Sequence, residues 1–245
     1  LIRLKPAFDL FRQTLATLKH LLLARFRGYG LEGLDFRLLE SIQPDELKRP
    51  GFFVELGANN GLAQANTYLL QQRYGWTGLL IEPSPSKYIE CVRNRSFGNR
   101  PSFRCAACVD FDYDQPFIAM QYADLMSVAL HLDVSSEQAS AHAERGHSFL
   151  MQRDEAHVFG AVARTLTSLL DEVAAPEKFD LLSLDVEGNE LCVLRGLDFS
   201  RYRPHWILVE VRTVDVSDYL HARGYRLSAV LSDAGSYRDL LFEAS

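Results

Sequence analysis

The tightest constraint on the fold lies at residues 52–61. Phe52-Phe53-Val54-Glu55-Leu56 is a short, almost continuous apolar run, followed at once by Gly57-Ala58-Asn59-Asn60-Gly61. A run of that length and composition suits a parallel strand buried on both faces. Glycines in the turn that follows permit positive φ and let a ligand approach the backbone closely. Strand, glycine turn and helix form the first unit of an α/β domain.

The rest of the chain repeats the unit. A helix is expected to follow Gly61 to about Arg73, then a strand at Leu79-Leu80-Ile81 ending on Glu82-Pro83, with Ser84 as cap of a helix to about Arg95. Ser102 to Val109 reads as a third strand. Residues 110–160 show no clean strand–helix unit and carry His131, His142, His147 and His157, each expected as a polar loop residue; an irregular insert of this size is usually functional or mobile. Thr165 to Leu170 starts a helix, Phe179 to Leu184 is a strand ending at Asp185, and Glu187 to Leu197 a helix. Trp206 to Val211 is a strand containing Glu210, and a short helix spans about 216–223. Tyr225–Leu231 and Tyr237–Phe242 are strands joined by Ser232-Asp233-Ala234-Gly235, a connection suited to an antiparallel hairpin. The expected fold is α/β: a doubly wound, mostly parallel sheet that closes with a C-terminal antiparallel hairpin.

At 245 residues, 47% hydrophobic and 24% charged, the chain fits one such domain. Residues 1–50 are expected as an N-terminal helical extension and 51–245 as the main domain, with a substrate-side insert at about 110–160. Leu4, Phe8, Phe11, Leu15, Leu18 and Leu22 share one face of a basic helix over 1–27. That helix is expected to pack on the domain or pair two copies as a homodimer, in preference to lying on a membrane. No apolar run approaches the ~20 residues of a transmembrane span. The net charge of −6 argues against a general nucleic-acid binder.

Cys91, Cys105, Cys108 and Cys192 form no disulfide framework, and Cys105-Ala106-Ala107-Cys108 has no second pair to complete a zinc site. Ordinary buried thiols and a cytoplasmic location are expected.

In a doubly wound sheet, ligands bind beyond the carboxyl ends of the strands. Glu55, Glu82, Asp185 and Glu210 all fall at those ends. Nicotinamide enzymes place Gly-x-Gly-x-x-Gly in the first turn, with a pyrophosphate on the helix amides. Here Gly57 and Gly61 are separated by three residues, and Glu55 precedes them. That acid would repel a pyrophosphate but suits the cationic methionine end of S-adenosylmethionine (SAM). Glu82, 25 residues after Gly57, is placed to accept both hydroxyls of an adenosine ribose.

Three blocks in order, VELGANNG, GWTGLLIEPSPSKYIECVRNR and FDLLSLDVEGNELCVLRGLDFSRYRPHWILVEV, resemble the FkbM family of SAM-dependent methyltransferases over about 51–212. The resemblance implies a Rossmann-like class I methyltransferase fold, SAM as cofactor with S-adenosylhomocysteine as product, and O-methylation of a hydroxyl on a sugar or secondary metabolite. It implies that Glu55, Gly57, Ala58, Asn59 and Gly61 line the methionine end of the cofactor site. Glu82 would hold the ribose, Pro83 and Ser84 would sit beside the adenine, and Ala106 and Ala107 would lie along its ring. Asn189 stands where many relatives carry histidine, so no imidazole role transfers.

Methyl transfer is an in-line displacement that chiefly needs donor and acceptor aligned. A hydroxyl acceptor must also lose its proton, which a carboxylate can take. Asp185, expected beside both cofactor and acceptor, is the first candidate, with Glu187 and Glu210 as partners. For Glu187 and Glu190 the alternative is a helix start that favours acids through its dipole. A divalent metal on Asp185, Glu187 and Glu210 is compatible with their oxygens but not favoured. The acceptor is expected to be a small molecule or glycan. The competing readings are a nicotinamide-dependent oxidoreductase and a non-catalytic scaffold of the same fold.

Overall fold

The computed structural model describes residues 28–122, 128–129 and 157–245. The basic helix expected over 1–27, and His131, His142 and His147, lie outside the described residues.

Helices α1 (Leu34–Ser41) and α2 (Pro44–Lys48) lead into strand β1 (Phe52–Leu56). Then come α3 (Tyr68–Tyr74), β2 (Thr77–Ile81), α4 (Pro85–Arg95) and β3 (Ser102–Arg104). Strands β4 (Ala107–Val109), β5 (Phe117–Tyr122), β6 (Val128–Ala129) and β7 (His157–Thr165) follow, then α5 (Leu166–Glu172) and β8 (Lys178–Leu184). The chain closes with α6 (Glu190–Arg195), β9 (Arg203–Val211), α7 (Val214–His221), β10 (Tyr225–Asp233) and β11 (Arg238–Ala244).

Seven strands form the main sheet in the order β10-β11-β9-β8-β1-β2-β3. Strands β3, β2, β1, β8 and β9 run parallel, and β10 and β11 close the edge antiparallel. From β1 the chain winds first to β2 and β3, then returns on the other side to β8 and β9. The order therefore reverses between β1 and β8, where ligands of such sheets bind.

Each face of the sheet is covered by its own core. On one, Val54, Leu79, Leu182 and Ile207 pack with Leu169, Leu194 and Leu220 of α5, α6 and α7. On the other, Phe53, Leu80, Leu181 and Leu208 pack with Leu38 and Leu47 of α1 and α2, Leu70 of α3 and Cys91 of α4. Trp76, fully buried in this second core, donates its indole N–H to the Leu47 carbonyl. The described part of the N-terminal extension is thus built into the same core as the sheet.

Several expected boundaries shift. The strand expected over 102–109 is two: β3 belongs to the main sheet, whereas β4 leaves it to pair with β7. Strands β4, β7, β5 and β6 form a second, small sheet from a stretch whose sequence shows no regular unit. Its inner face is apolar (Ala107, Val109, Ile118, Met120, Ala161) and packs on Cys192 of α6. Its outer face carries Phe117, Val158 and Val162 exposed, so alternation in these strands is blurred.

Helix α3 begins at Tyr68 rather than just after Gly61. Asn59 and Gln64 have positive φ, and Asn60 Oδ1 accepts from the amides of Leu62 and Ala63, which folds 57–67 into a loop. Ser84 stands at the N-cap of α4, yet its hydroxyl pairs with Ser86 instead of a helix amide. Helix α6 starts at Glu190, and Glu187 sits before it in a turn at φ 59°. Thr165 caps α5 by accepting from the Ser168 amide, as expected of a helix start there.

None of the four cysteines is in a disulfide, and Cys91, Cys108 and Cys192 are buried. Burial pushes Cys91 and Cys108 up to about 12, which suits inert packing residues. No helix among the described residues is long and apolar enough to cross a membrane.

Candidate active site

A cavity of about 870 Å³, its mouth included, opens where β1 and β8 end. Strand ends supply one side of it: Glu55 near the end of β1 with Gly57 and Asn59 after it, Glu82 and Pro83 after β2, and Asp185 and Glu187 after β8. Ala106 lines it between the two sheets, and Ala107, Met120 and Ala129 come from the small sheet. The insert therefore contributes a wall of the cavity.

The register of the sheet brings Gly57 and Asp185 together. Leu56 pairs with Leu184, so the residues that follow face one another. Gly57 has φ 74°, and a methyl group on its Cα would run into the Asp185 carbonyl. Glycine is required here on two counts, conformation and space. Gly61, at φ 77°, answers a different need. A side chain there would meet Arg95, so this glycine faces away from the cavity.

Glu55 is 3% exposed and fully engaged by the protein. Its carboxylate accepts from the Asn66 amide (2.8 Å) and the Thr67 hydroxyl (2.6 Å), and lies 3.5 Å from the Arg95 guanidinium. Arg95 is itself completely buried and donates to Gln71, Thr67 and the Gly61 carbonyl. Glu55 thus serves as the keystone of the loop as much as a wall of the cavity.

Glu82 is also held by amides. One carboxylate oxygen accepts from Asn59 N and the other from Ser84 N, both at 2.8 Å. The amides fix the carboxylate's direction and link the first turn of the site to the second.

Asp185 lines the cavity, and its Oδ1 is buried without a hydrogen-bond partner among the described residues. Burial, then the charges of Glu210, Glu187 and Glu190, hold its carboxyl well above the ordinary carboxylate range. Burial also raises Glu210 to about 7, with Glu187 adding to the shift against the opposing pull of Arg212. Asp185, Glu187 and Glu210 each offer an oxygen within 4.8 Å of the others. Arg212 reaches into this group, with Nη2 at 2.6 Å from both Glu187 and Glu210. Glu190 closes the turn from beneath, accepting from the amides of Val186 (3.1 Å) and Gly188 (3.0 Å).

Of the expected cofactor contacts, Glu55, Gly57, Asn59, Glu82, Pro83, Ala106, Ala107 and Asp185 share the cavity wall. Ala58, Gly61 and Ser84 stand behind it; the Ala58 amide donates to Ile81 O and the Ser84 amide to Glu82. Among the expected catalytic acids, Asp185 and Glu187 face the cavity, while Glu210 stands behind them with Arg212. Gln64, Asn66, Met120 and Ser183 also line it and carry no motif in the sequence. Arg95 and Arg212 are further site-building residues that motif reading passes over. Their only signal is a cation near acids that become neighbours after folding.

Residues 55–227 match the model of the methyltransferase FkbM domain. Methyltransferase 1 of Beauveria bassiana (strain ARSEF 2860) is 26% identical over 170 residues, covering 68% of this chain. The chain spans 65% of that relative's length. Among solved structures, the human methyltransferase 10 domain containing protein aligns with TM-score 0.49 at 12% identity, covering 95% of each chain. Magnesium protoporphyrin IX methyltransferase from Synechocystis PCC 6803, with bound SAM, aligns with TM-score 0.46 at 13% identity over 86% of this chain and 78% of the other.

Proposed function

The chain belongs to the FkbM methyltransferase family, with a class I methyltransferase fold and SAM as its cofactor, and from that premise we propose that it methylates a hydroxyl of a sugar or secondary metabolite. The observation that carries this reading is Asp185: a carboxylate on the cavity wall with one buried, unengaged oxygen.

The donors and acceptors present fit the cofactor. The Glu82 carboxylate, at the end of β2, would take the ribose hydroxyls, and the small apolar Ala106 and Ala107, with Pro83, would flank the adenine. Gly57 and Asn59 would border the methionine portion, with Glu55 behind them setting the loop's shape. When bound, SAM supplies an electrophilic methyl group on a sulfonium.

Asp185 would then accept a hydrogen bond from the acceptor hydroxyl, orient its oxygen, and take its proton as the C–O bond forms and the methyl–sulfur bond breaks, with S-adenosylhomocysteine as the leaving group. A carboxyl held above its ordinary range is, once ionised, a stronger base than a free one. Met120 and Ala129 would border the acceptor, so a small molecule or exposed glycan end fits better than a flat polymer surface. A cytoplasmic setting and the absence of a nucleic-acid partner remain part of this proposal. The nicotinamide alternative is set aside with the family, and a mere scaffold would have no use for an unpartnered buried carboxylate, which costs free energy.

The test is incubation of the protein with methyl-labelled SAM and a panel of sugars, phenols and aliphatic alcohols. Label is expected in the methyl group of a methyl ether on one acceptor class. Transfer solely to nitrogen or carbon acceptors would overturn the hydroxyl assignment.

A further inference from the structure

We propose that Arg212 is a positioning residue whose guanidinium fills the place a divalent cation would take among Asp185, Glu187 and Glu210. Its role in catalysis rests on reading the cavity as the methyl-transfer site; its occupation of the cation position does not.

Three carboxylates with oxygens within 4.8 Å of one another repel unless protons or a cation offset them. Arg212 lies just beyond the end of β9 and meets that need from within the chain. Nη2 donates to Glu187 Oε2 and lies equally close, 2.6 Å, to Glu210 Oε1, while Nε donates to the same Glu210 oxygen at 2.7 Å. The planar guanidinium offers five N–H donors in a fixed fork, which suits bridging two acids in a way that a point charge cannot. Burial opposes the arginine's charge, but Glu210 and Glu187 outweigh it and hold Arg212 above its ordinary value.

The bridge also explains two local features. Glu187 sits in left-handed backbone at φ 59°, a conformation that persists only when its surroundings enforce it. Arg212 grips its side chain, and Glu190 holds the amides on either side of it. With Glu187 and Glu210 drawn to the guanidinium, Asp185 is the acid of the three left with an unengaged oxygen at the cavity. Arg212 therefore sorts three similar carboxylates into two bridged by its guanidinium and one left with an unengaged oxygen at the cavity.

The experiment is a titration of Mn²⁺, followed by the electron paramagnetic resonance of the free ion, against the whole chain and its variants. Wild type and Arg212→Lys should leave Mn²⁺ free at concentrations on the order of 10⁻⁴–10⁻³ M, where weak oxygen-donor sites load. Arg212→Gln should bind the ion in that range, and adding Asp185→Asn should abolish the gain. Wild-type binding that Asp185→Asn removes would overturn the proposal, and that arm requires no arginine variant to fold. So would an Arg212→Gln protein with wild-type melting that binds no more Mn²⁺ than wild type. Calorimetry with SAM on the same samples separates the two readings. A wild type that binds no SAM would sink the methyl-transfer reading and leave the Mn²⁺ result standing.

Discussion

The guanidinium of Arg95, wholly shielded from solvent, lies 3.5 Å from the Glu55 carboxylate at the end of β1. The pair ties helix α4 to the loop that shapes the cavity, because Arg95 also donates to the Gly61 carbonyl and Glu55 accepts from Asn66 and Thr67. Burial alone would pull the arginine's affinity for its proton down, and Glu55 is the largest opposing influence.

Removing one member leaves the other charge buried and uncompensated. Arg95→Met should destabilise the protein by about 3–5 kcal/mol, the usual cost of breaking a buried pair. The double variant Arg95→Met with Glu55→Gln should recover part of it. Urea unfolding checks both. Equal stability of Arg95→Met and wild type would show that the pair does not hold the loop.

Glu82→Ala should weaken SAM and S-adenosylhomocysteine alike, by roughly ten- to a hundred-fold, as charge-assisted hydrogen bonds are lost. Glu82→Gln should fall between, since an amide oxygen still accepts. Calorimetry gives both affinities, and unchanged binding in Glu82→Ala would remove the residue from the cofactor site.

Much of this site could be read from sequence because it is local. The strand–glycine turn at 52–61, the acid ending β2 and Asp185 ending β8 follow from apolar runs and the residues that terminate them. What could not be read depends on partners far apart in the chain. Glu55 looks like a free acid until Arg95, forty positions away, is folded against it. Glu187 looks like the first turn of a helix until Arg212 holds it in a turn. The small sheet is illegible for another reason: β5 and β7 expose Phe117, Val158 and Val162 on their outer face, which erases the alternation that marks a strand.

The acid cluster should leave a signature in the pH dependence of stability. Glu210 is raised from 4.5 to about 7 in the folded chain, so folding favours its protonated form. Its contribution is fully present below pH 4.5 and is lost as pH rises through about 7, reaching a penalty of about 3 kcal/mol above that. Asp185, also raised, acts in the same direction. Glu210→Gln should flatten the decline between pH 5 and about 7.5. Chemical denaturation across that range measures it, and a slope identical to wild type would contradict the coupling of these acids.

Gly57→Ala should lose most cofactor affinity, because the methyl group collides with the Asp185 carbonyl and the backbone stands at positive φ. Strain of this kind costs on the order of 1–3 kcal/mol before any clash is counted. Gly61→Ala strains the loop from the Arg95 side instead, so its main effect should be on melting temperature. Similar losses of SAM affinity in both variants, at equal stability, would contradict this division between the two glycines.

The most direct measurement is single-turnover methyl transfer by Asp185→Asn, with the acceptor found for the wild type and with SAM affinity measured in parallel. Asp185 stands at the meeting of β1 and β8 with an unengaged oxygen, while the ribose and methionine contacts are assigned elsewhere. The transfer rate should fall about 10²–10⁴-fold, the range of general acid–base catalysis, with SAM affinity nearly unchanged. A variant that transfers methyl at the wild-type rate, or one whose loss of rate is matched by its loss of SAM binding, would contradict the assignment of Asp185 to the chemical step.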